Sequence, residues 1–568
     1  MRRAAIAVLL FAARVTAEDL TLVRDGRAEA AIVQAKDATT AEERGARELR
    51  EHLRLMSGAE IGIAAEGGGG VEIRVVFDAA LGAEEYRLKT EGRRLTISGG
   101  RPRGVLYGCA ALLDRLGVRW FSKSATLVPR RATVTVPPLD ERGAPVFDYR
   151  HPYTTEALDA DWAARNRVNG ASKGLDASYG GAVTYSPFVH SFEQIVPGEM
   201  FGAHPEYFPM IDGKRSAGVE KGGKVYAVAV QRCLTNPGVV KLAIAKVRDW
   251  IREGPEAQVI SVSQNDGDGW CECPACRKAM DKYGARSGVL LAFVNEVADA
   301  FPGRVIDTLA YGETEEPPKG ISPRKNVSVR LCPIKVCHAH PLAECASPES
   351  AAFQARLKGW DELTDALVVW HYDAPFAHLL MPFPDFADFP ADLRLYRKHG
   401  VRGVFFQGAT PPGGGGSDAE LRSWVQARLL WTPDGDADAL VTEWMKGVYG
   451  AAWEPMRAWF DRLHRATSDP KQHLFVDAGP LHAVFSDDLL VAGDALFDQA
   501  EKLADTPAAS DAVAKARLGL RYVKLARAKV PGADLDDFLR TARRFGVTQV
   551  ADGWPIETWE AELRRRGK

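Results

Sequence analysis

The sequence predicts an α/β protein built on a (β/α)8, TIM-like barrel, with a small α/β domain before the barrel and an α-helical domain after it. Eight apolar, β-rich runs lie between residues 145 and 410, and most are followed by helical or loop segments. Such runs are typical of a parallel sheet that is buried on both faces, and eight of them favour a closed barrel. The flanking regions differ in pattern: helices and strands are mixed before residue 138, and strands are few after residue 418.

The composition is that of an ordinary soluble protein. The chain has 568 residues, which is more than one hydrophobic core can hold, so several domains are expected. Hydrophobic residues make up 46% of the chain, charged residues 26%, and the formal net charge is −2. This balance, without a dense stripe of lysine and arginine, argues against nucleic acid as a partner.

Residues 1–17 have the pattern of a secretory signal peptide. Arg2 and Arg3 provide a positive start, residues 4–13 form a short apolar run, and Val15-Thr16-Ala17 resembles a cleavage site. An ordinary buried helix is the alternative, whereas a membrane span would need about 20 apolar residues. We therefore expect a secreted or periplasmic protein that is not inserted in a membrane after signal cleavage.

Residues 18–138 are expected to form the small α/β domain. The residues Thr40-Ala41-Glu42-Glu43 fit a capping box, and apolar residues then repeat at helical spacing until Gly58. The other predicted elements are strands over 71–77, 86–89 and 94–98 and a helix over 104–116. Pro137-Pro138 is a plausible linker to the barrel.

The barrel is expected to span residues 145–410. Its predicted strands cover 146–150, 167–170, 225–230, 259–263, 305–310, 327–331, 367–370 and 401–406, and the second is the weakest. After the glycine run 413–416, residues 418–568 contain amphipathic segments that predict a helical domain.

Polar and aromatic residues follow several predicted strands at the end where an α/β barrel carries its active site. The candidates are Asn265 and Asp266 after the fourth strand, Tyr311 and Glu313 after the fifth, Trp370, His371, Tyr372 and Asp373 around the end of the seventh, Gln407 after the eighth, Arg150, Arg165 and Asn166 near the first, and His190.

Two carboxylates across a cleft suit glycosidic cleavage, because one protonates the leaving oxygen while the other steers water or attacks the sugar. Asp266 is the first choice for the acid, with Asp373 or Glu313 as its partner. The aromatic, amide, arginine and histidine side chains would bind the sugar. Each carboxylate has a plainer alternative as a turn former or helix cap.

Six of the eight cysteines lie between residues 271 and 345. They are Cys271, Cys273 and Cys276 after the fourth strand and Cys332, Cys337 and Cys345 after the sixth, with His338 and His340 nearby. An even count in an exported protein favours disulfides, and a structural Zn²⁺ is the alternative. A catalytic metal is not expected, because closely spaced cysteines usually close a site.

Six motifs resemble an exported bacterial family of glycosidase-like proteins catalogued as a domain of unknown function. They are HPEYF (204–208), CLTNP (233–237), SQNDGDGWCECPAC (263–276), LAYGETEEPP (309–318), VRLCPIKVCHAHPL (329–342) and HYDAPF (371–376). The segments EEYRLKTEGRRLTISGG (84–100) and RGVLYGCAALLDRLGVRWF (103–121) are similar to the domain that precedes the barrel in β-hexosaminidases and α-glucuronidases.

The resemblance implies a carbohydrate-active barrel. Together with the acids at the predicted strand ends and the pattern of residues 1–17, it leads us to expect a secreted glycoside hydrolase acting on an oligo- or polysaccharide. No cofactor is expected, with structural zinc as the one exception left open. An α-glucuronidase-like enzyme would use Arg150 or Arg165 for the uronate. A β-N-acetylhexosaminidase-like enzyme would let the substrate's acetamido group attack, although this chain has Asn265-Asp266 in place of an Asp-Glu pair. Gln407 leaves the eighth strand without a carboxylate, so a non-catalytic glycan-binding protein is one alternative. A zinc-dependent hydrolase built on the cysteine and histidine residues is another.

Overall fold

The computed structural model describes residues 18–170, 174–221, 224–226, 229–410, 418–528 and 534–566. The predicted signal peptide and the glycine run 413–416 lie outside the described residues. Contacts divide the chain into two compact units. The first comprises residues up to 119 with 128–144 and 177–180, and the second comprises 120–127, 145–176 and the residues from 181 onward.

The first unit is built on a six-stranded mixed sheet. Its strands, in order of pairing, are Asp140–Gly143, Tyr86–Glu91, Arg94–Gly99, Val71–Phe77, Ala30–Gln34 and Ile63–Ala64. A smaller sheet pairs Val134–Val136, Leu20–Arg24 and Arg27–Ala28. The helices Thr40–Ser57 and Gly104–Arg115 pack on one another.

The first helix begins with a capping box that is shifted by one residue from the predicted one. Thr39 accepts a hydrogen bond from the Glu42 amide at 3.3 Å, and the Glu42 carboxylate accepts one from the Thr39 amide at 2.9 Å. The helix ends at Gly58, whose φ of 77° is in the left-handed region that glycine adopts easily.

The second unit contains a curled, wholly parallel sheet of six strands. The strands are β1 (Tyr149–Tyr153), β2 (Val259–Ser261), β3 (Val305–Ala310), β4 (Val327–Leu331), β5 (Leu367–Tyr372) and β6 (Gly403–Gln407). They pair in the order β1-β6-β5-β4-β3-β2. This order confirms the predicted fold class.

The predicted barrel strand 167–170 is wrong, and the described residues of the predicted strand 225–230 do not form a strand of the parallel sheet. Arg167 has a φ of 60°, and Asn169 and Gly170 are poor strand formers, so this segment does not become a strand. Lys224–Tyr226 pairs antiparallel with Val219–Lys221 rather than joining the parallel sheet.

Irregular backbone fills the interval between β1 and β2. The amides of Asn169 and Gly170 donate to the Arg150 carbonyl at 3.3 and 3.2 Å, and the Val183 amide donates to the Asn169 carbonyl at 2.8 Å. The Val259 amide of β2 in turn donates to the Thr184 carbonyl at 3.1 Å. Backbone hydrogen bonds therefore continue from β1 to β2 without two regular strands.

Helices surround this sheet and make up most of the C-terminal region, as predicted. Those up to residue 398 are Ala160–Arg165, Phe192–Ile195, Pro237–Glu253, Pro274–Tyr283, Arg286–Asp299, Pro348–Asp361 and Phe389–Lys398. Those after residue 418 are Ala419–Trp431, Ala437–Tyr449, Trp453–Arg465, Asp487–Leu503, Pro507–Arg527, Asp534–Arg544 and Ile556–Arg566. None of the described helices combines the length and apolar character needed to span a membrane.

Short two-stranded pairs complete the description. They join Met210–Ile211 to Lys214–Arg215, Arg119–Trp120 to Thr126–Leu127, and Gln549–Ala551 to Trp554–Pro555.

Candidate functional site

Aromatic side chains fill the inside of the parallel sheet. Successive side chains of a strand point to opposite faces, so alternate residues of each strand are inside. Tyr149 of β1, Trp370 and Tyr372 of β5 and Phe405 of β6 form one buried cluster. The Trp370 indole N–H donates to the Gln407 side-chain oxygen at 2.8 Å, which places Gln407 beside these rings.

Asp266 lies at the carboxyl-terminal end of the sheet, in the loop that follows β2, and is exposed to solvent. The hydroxyl of Tyr311, which follows β3, donates to Asp266 Oδ1 at 3.4 Å. Burial and the Asp266 charge raise the pKa of Tyr311, so the phenol stays protonated and acts as a donor. We call the region formed by Asp266, Tyr311 and the partly exposed rings of Tyr153, Phe188 and Phe376 the mouth.

The mouth also contains partly exposed rings. Tyr153 and Phe376 pack against the buried aromatic cluster, as do Phe188 and Tyr311. The His190 ring is 6.4 Å from the Tyr311 ring, and its Nδ1 is 2.7 Å from the Gln264 carbonyl oxygen. Six of the predicted site residues are therefore near one another: Asp266, Tyr311, Trp370, Tyr372, Gln407 and His190.

The residues before Asp266 hold its loop in place. The buried Asn265 amide donates to the Val230 carbonyl at 2.9 Å, and its oxygen accepts from the Glu193 amide at 3.0 Å. Gln264 donates to Thr314 Oγ1 at 2.8 Å. Asn265 was predicted to bind substrate, but its hydrogen-bonding groups are used inside the protein.

A C-terminal strand pair supports the loop after β5. The Leu379 amide donates to the Val550 carbonyl at 2.8 Å, and the Asp552 amide donates to the Phe376 carbonyl at 2.8 Å. Val476, from another C-terminal segment, packs against the aromatic cluster as well. The C-terminal region therefore contributes to the mouth.

Asp373 is not at the mouth. It is buried on the outer face of the sheet, where it accepts a hydrogen bond from Gln426 Nε2 of a surrounding helix at 2.6 Å. Burial raises the pKa of Asp373, and the nearby Arg422 charge offsets part of that effect. The predicted partner acid is wrong in position because strand alternation places residue 373 on the face opposite to Trp370 and Tyr372.

Glu313 is also engaged elsewhere. Its Oε2 lies 2.7 Å from Arg286 Nε, and the Arg286 guanidinium lies 5.6 Å from the Trp270 ring. The carboxylate is therefore engaged in an ion pair with a helix arginine.

Four predicted substrate-binding residues lie away from the mouth: Arg150, Asn166, Arg165 and His371. Arg150 donates to the Arg167 and Phe147 carbonyls, both at 2.8 Å. Asn166 donates to the Trp120 and Trp162 carbonyls at 3.1 and 3.0 Å.

Arg165 lies on the helix Ala160–Arg165, with Nη2 3.9 Å from the Asp161 carboxylate. His371 is buried on the outer face, with Nδ1 3.0 Å from the Tyr396 hydroxyl. The His371 imidazole forms a cluster with His338 and Asp388.

The sequence reasoning missed a buried ion pair in the sheet interior. Arg330 Nε is 3.0 Å from Asp307 Oδ1, and the guanidinium lies 4.6 Å from the Phe188 ring and 5.4 Å from the Trp370 ring. The sequence does contain a signal for this pair, because Asp307 and Arg330 are each the single charged residue in an otherwise largely apolar strand.

The cysteines form two clusters with residues distant in sequence. Cys271, Cys273 and Cys276 are joined by Cys233, and Cys337 and Cys345 are joined by His340 and His473. Cys332 is separate, buried in the aromatic cluster. All eight cysteines of the chain are described, and all have free thiols. The sulfurs of Cys233 and Cys273 are 3.7 Å apart, whereas a disulfide bond is about 2.05 Å long.

Comparisons with known proteins agree with this architecture. A family model described as "Domain of unknown function (DUF4838)" matches residues 120–461. A second, described as "Glycosyl hydrolase family 20, domain 2", matches residues 17–128. These matches confirm the resemblance read from the sequence motifs. A search of curated proteins gives no match.

Solved structures that are similar to this chain include glycoside hydrolases. A GH115 4-O-methyl-α-glucuronidase, BtGH115A, with specificity for decorated arabinogalactans, is 13% identical with a TM-score of 0.61, over 97% of this chain and 80% of that one. A GH138 enzyme targeting pectin rhamnogalacturonan II is 12% identical with a TM-score of 0.49, over 94% and 98%. A GH20 exo-β-N-acetylglucosaminidase from Vibrio harveyi is 15% identical with a TM-score of 0.39, over 76% and 74%. At 13% identity, the likeness to the GH115 enzyme concerns the fold.

Proposed function

The chain belongs to the DUF4838 family, and we propose that it is a glycoside hydrolase that binds an oligo- or polysaccharide at the mouth. The observation that carries the proposal is the contact between Asp266 and Tyr311 beside an aromatic cluster, at the carboxyl ends of parallel strands. The pattern of residues 1–17 supports action outside the cytoplasm.

The partly exposed aromatic rings supply the binding surface. Tyr153 and Phe376 can pack against the apolar face of a sugar ring, which is a common use of aromatic side chains. Gln407, His190 and the Tyr311 hydroxyl provide hydrogen-bonding groups for sugar hydroxyls.

Asp266 is the acid in this proposal. In its protonated form it gives its proton to the glycosidic oxygen as the bond to the anomeric carbon breaks, and the hydrogen bond from the Tyr311 hydroxyl stabilises the carboxylate that results. Asp268 is exposed and lies two residues after Asp266 in the same loop, so we assign it the role of steering the attacking water.

The geometry gives more support to a substrate without a uronate than to an α-glucuronidase-like one. Both arginines expected to bind the uronate carboxylate, Arg150 and Arg165, are engaged away from the mouth. Among the substrates expected from the sequence, a β-N-acetylhexosaminide therefore fits better.

A non-catalytic carbohydrate-binding protein is the second candidate. The observation that favours it is the position of Asp373 and Glu313, which leaves Asp266 as the single member of the predicted catalytic set at the mouth. An aromatic surface with one carboxylate is sufficient for binding.

Sugar release and sugar binding should be measured separately on one panel of oligosaccharides that includes β-N-acetylhexosaminides and uronides. Asp266→Asn should lower kcat by about 10²- to 10⁴-fold, the usual contribution of a general acid, and leave binding and the melting temperature nearly unchanged. Glu313→Gln is the matched control and should keep wild-type turnover.

Full activity of Asp266→Asn would refute the assignment of the acid. Binding to a glycan of the panel without release of sugar by the wild-type protein would establish the second candidate instead.

A further inference from the structure

Four buried cysteines converge beside the loop that carries Asp266. The ligand atoms of Cys233, Cys271, Cys273 and Cys276 all lie within 4.8 Å of one another. Cys233 Sγ is 3.7 Å from Cys273 Sγ and 3.9 Å from Cys276 Sγ. Zn–S bonds of about 2.3 Å in a tetrahedron place the sulfurs about 3.8 Å apart, which matches these distances.

Local structure explains how the four thiols meet. Cys273 is the N-cap of the helix Pro274–Tyr283, and Cys276 lies in its first turn. Cys233 lies just before Asn236, the N-cap of the helix Pro237–Glu253. The N-termini of two helices therefore lie near the cluster, and their positive ends favour the thiolate form that binds a metal.

Hydrogen-bond donors surround the sulfurs. The Met210 amide lies 3.3 Å and Arg215 Nη1 lies 3.5 Å from Cys271 Sγ, and the Thr235 hydroxyl lies 3.1 Å from Cys276 Sγ. Such donors offset the negative charge of a tetrathiolate centre and orient its ligands.

A second cluster has the same character with a mixed ligand set. The ligand atoms of Cys337, His340, Cys345 and His473 also lie within 4.8 Å of one another. The Cys337 Sγ to His340 Nδ1 distance is 3.5 Å, and the Cys345 Sγ to His473 Nδ1 distance is 3.7 Å. Tetrahedral zinc with about 2.3 Å Zn–S and 2.0–2.1 Å Zn–N bonds requires about 3.6 Å between sulfur and nitrogen.

We propose that the protein binds two structural Zn²⁺ ions, one at Cys233, Cys271, Cys273 and Cys276 and one at Cys337, His340, Cys345 and His473. Each ion has four protein ligands and no open position, which is the mark of a structural site. Binding requires each cysteine to release its thiol proton to solvent, so the six coordinating thiols become thiolates.

The two ions fix different sides of the mouth. The first anchors the segment that follows Asp266, because Cys271 is only five residues further along the chain. The second ion links the loop after β4 to His473. Two residues that flank these ligands in sequence, Ile334 and Val476, pack against the aromatic cluster. Zinc would therefore hold the mouth in shape without taking part in sugar chemistry.

The test is the metal content of the full-length protein, purified without chelator and measured by elemental analysis. The wild-type protein should contain two zinc ions per chain. Cys233→Ser and Cys337→Ser should each contain one. The matched controls Cys109→Ser and Cys332→Ser, which change buried cysteines outside both clusters, should each keep two.

A wild-type protein without zinc, or with another metal in its place, overturns the proposal. Zinc content that is unchanged in both ligand variants overturns it as well.

Two further measurements apply even if a serine variant does not fold. Cys273→His replaces one zinc ligand by another and should retain two ions. Cobalt substituted into the wild-type protein should give the visible absorption of a tetrahedral site and sulfur-to-metal charge-transfer bands, and octahedral spectra would contradict the assignment.

Disulfides are distinguished by alkylation of the wild-type chain in denaturant and chelator, without a reducing agent. All eight cysteines should be modified if the clusters hold zinc. Protection of cysteines in pairs until a reductant is added would overturn the proposal in favour of disulfides.

Discussion

Arg330 and Asp307 form an ion pair inside the parallel sheet, and neither side chain is exposed to solvent. Ser261 Oγ donates to Asp307 Oδ2 at 3.0 Å, and the Arg330 guanidinium lies against the rings of Tyr185, Phe188 and Trp370. The pair connects β2, β3 and β4 beneath the mouth. Because water does not solvate either side chain, the charges of Arg330 and Asp307 stabilise each other.

Breaking the Arg330–Asp307 pair should destabilise the protein strongly. Asp307→Asn leaves a buried guanidinium without its countercharge, so the free energy of unfolding should fall by about 3–5 kcal/mol in denaturant titrations. Asp299→Asn is the control, because it breaks an exposed pair with Arg324 and should cost less than about 1 kcal/mol. An equal, small loss in both variants would show that the buried pair has no special role.

Replacing Asp373 should affect stability and not catalysis. Asp373→Ala removes the acceptor of the Gln426 amide in a buried site, so unfolding should become easier by about 1–3 kcal/mol. Turnover per folded molecule should stay close to that of the wild type, as determined by activity assays normalised to the folded fraction. A fall of two orders of magnitude in turnover at wild-type stability would restore Asp373 to the catalytic set.

Removing the Tyr311 hydroxyl should weaken catalysis without unfolding the protein. In Tyr311→Phe, Asp266 loses its hydrogen bond, and a bond to a charged group is worth about 1.5–3 kcal/mol. The expected loss in kcat is about 10- to 100-fold, measured under saturating substrate. Tyr283→Phe, which lacks a hydroxyl on an outer helix, should behave as the wild type.

The protein should lose stability in acid through His151. Burial lowers the pKa of this imidazole to about 3, whereas an unfolded histidine titrates near 6.5. The unfolded state therefore binds the proton first as the pH falls. The contribution of neutral His151 is fully present above about pH 6.5 and is lost as the pH falls toward 3.

Comparison with His151→Phe isolates this contribution. Between about pH 7 and pH 4.5, the wild type should lose about 2.5 kcal/mol relative to the variant in denaturant titrations. Tyr149→Phe, which keeps the imidazole and removes its hydroxyl partner, should remain as acid-sensitive as the wild type. A constant difference between wild type and His151→Phe at all pH values would contradict the prediction.

Local sequence pattern was sufficient for six of the eight predicted strands, because buried parallel strands are continuous apolar runs. It failed at 167–170, where the amides of Asn169 and Gly170 bind the Arg150 carbonyl, and at 225–226, where the strand pairs with the neighbouring Val219–Lys221. The pattern also could not tell which alternate residues of a strand face inward. It therefore grouped Trp370 with Asp373, although only odd or only even positions share a face.

The candidate site was predictable where its residues follow strand ends and not where they come from distant parts of the chain. Asp266 and Tyr311 follow neighbouring strands, so their proximity follows from sheet order. Cys233 lies about 40 residues before Cys273, and His473 lies about 130 residues after Cys345. No local sequence pattern indicates that these ligands come together. Only the folded chain brings them together.

The contacts of Val550 and Asp552 with the loop after β5 place nearly the last described residues of the chain beside Phe376. During translation, a nascent polypeptide can complete its parallel sheet long before these residues leave the ribosome. The wall of the mouth that contains Phe376 is therefore completed only after residues 550–552 have been synthesised, and a chain cut before residue 550 would retain its parallel sheet but lose the support beneath that wall.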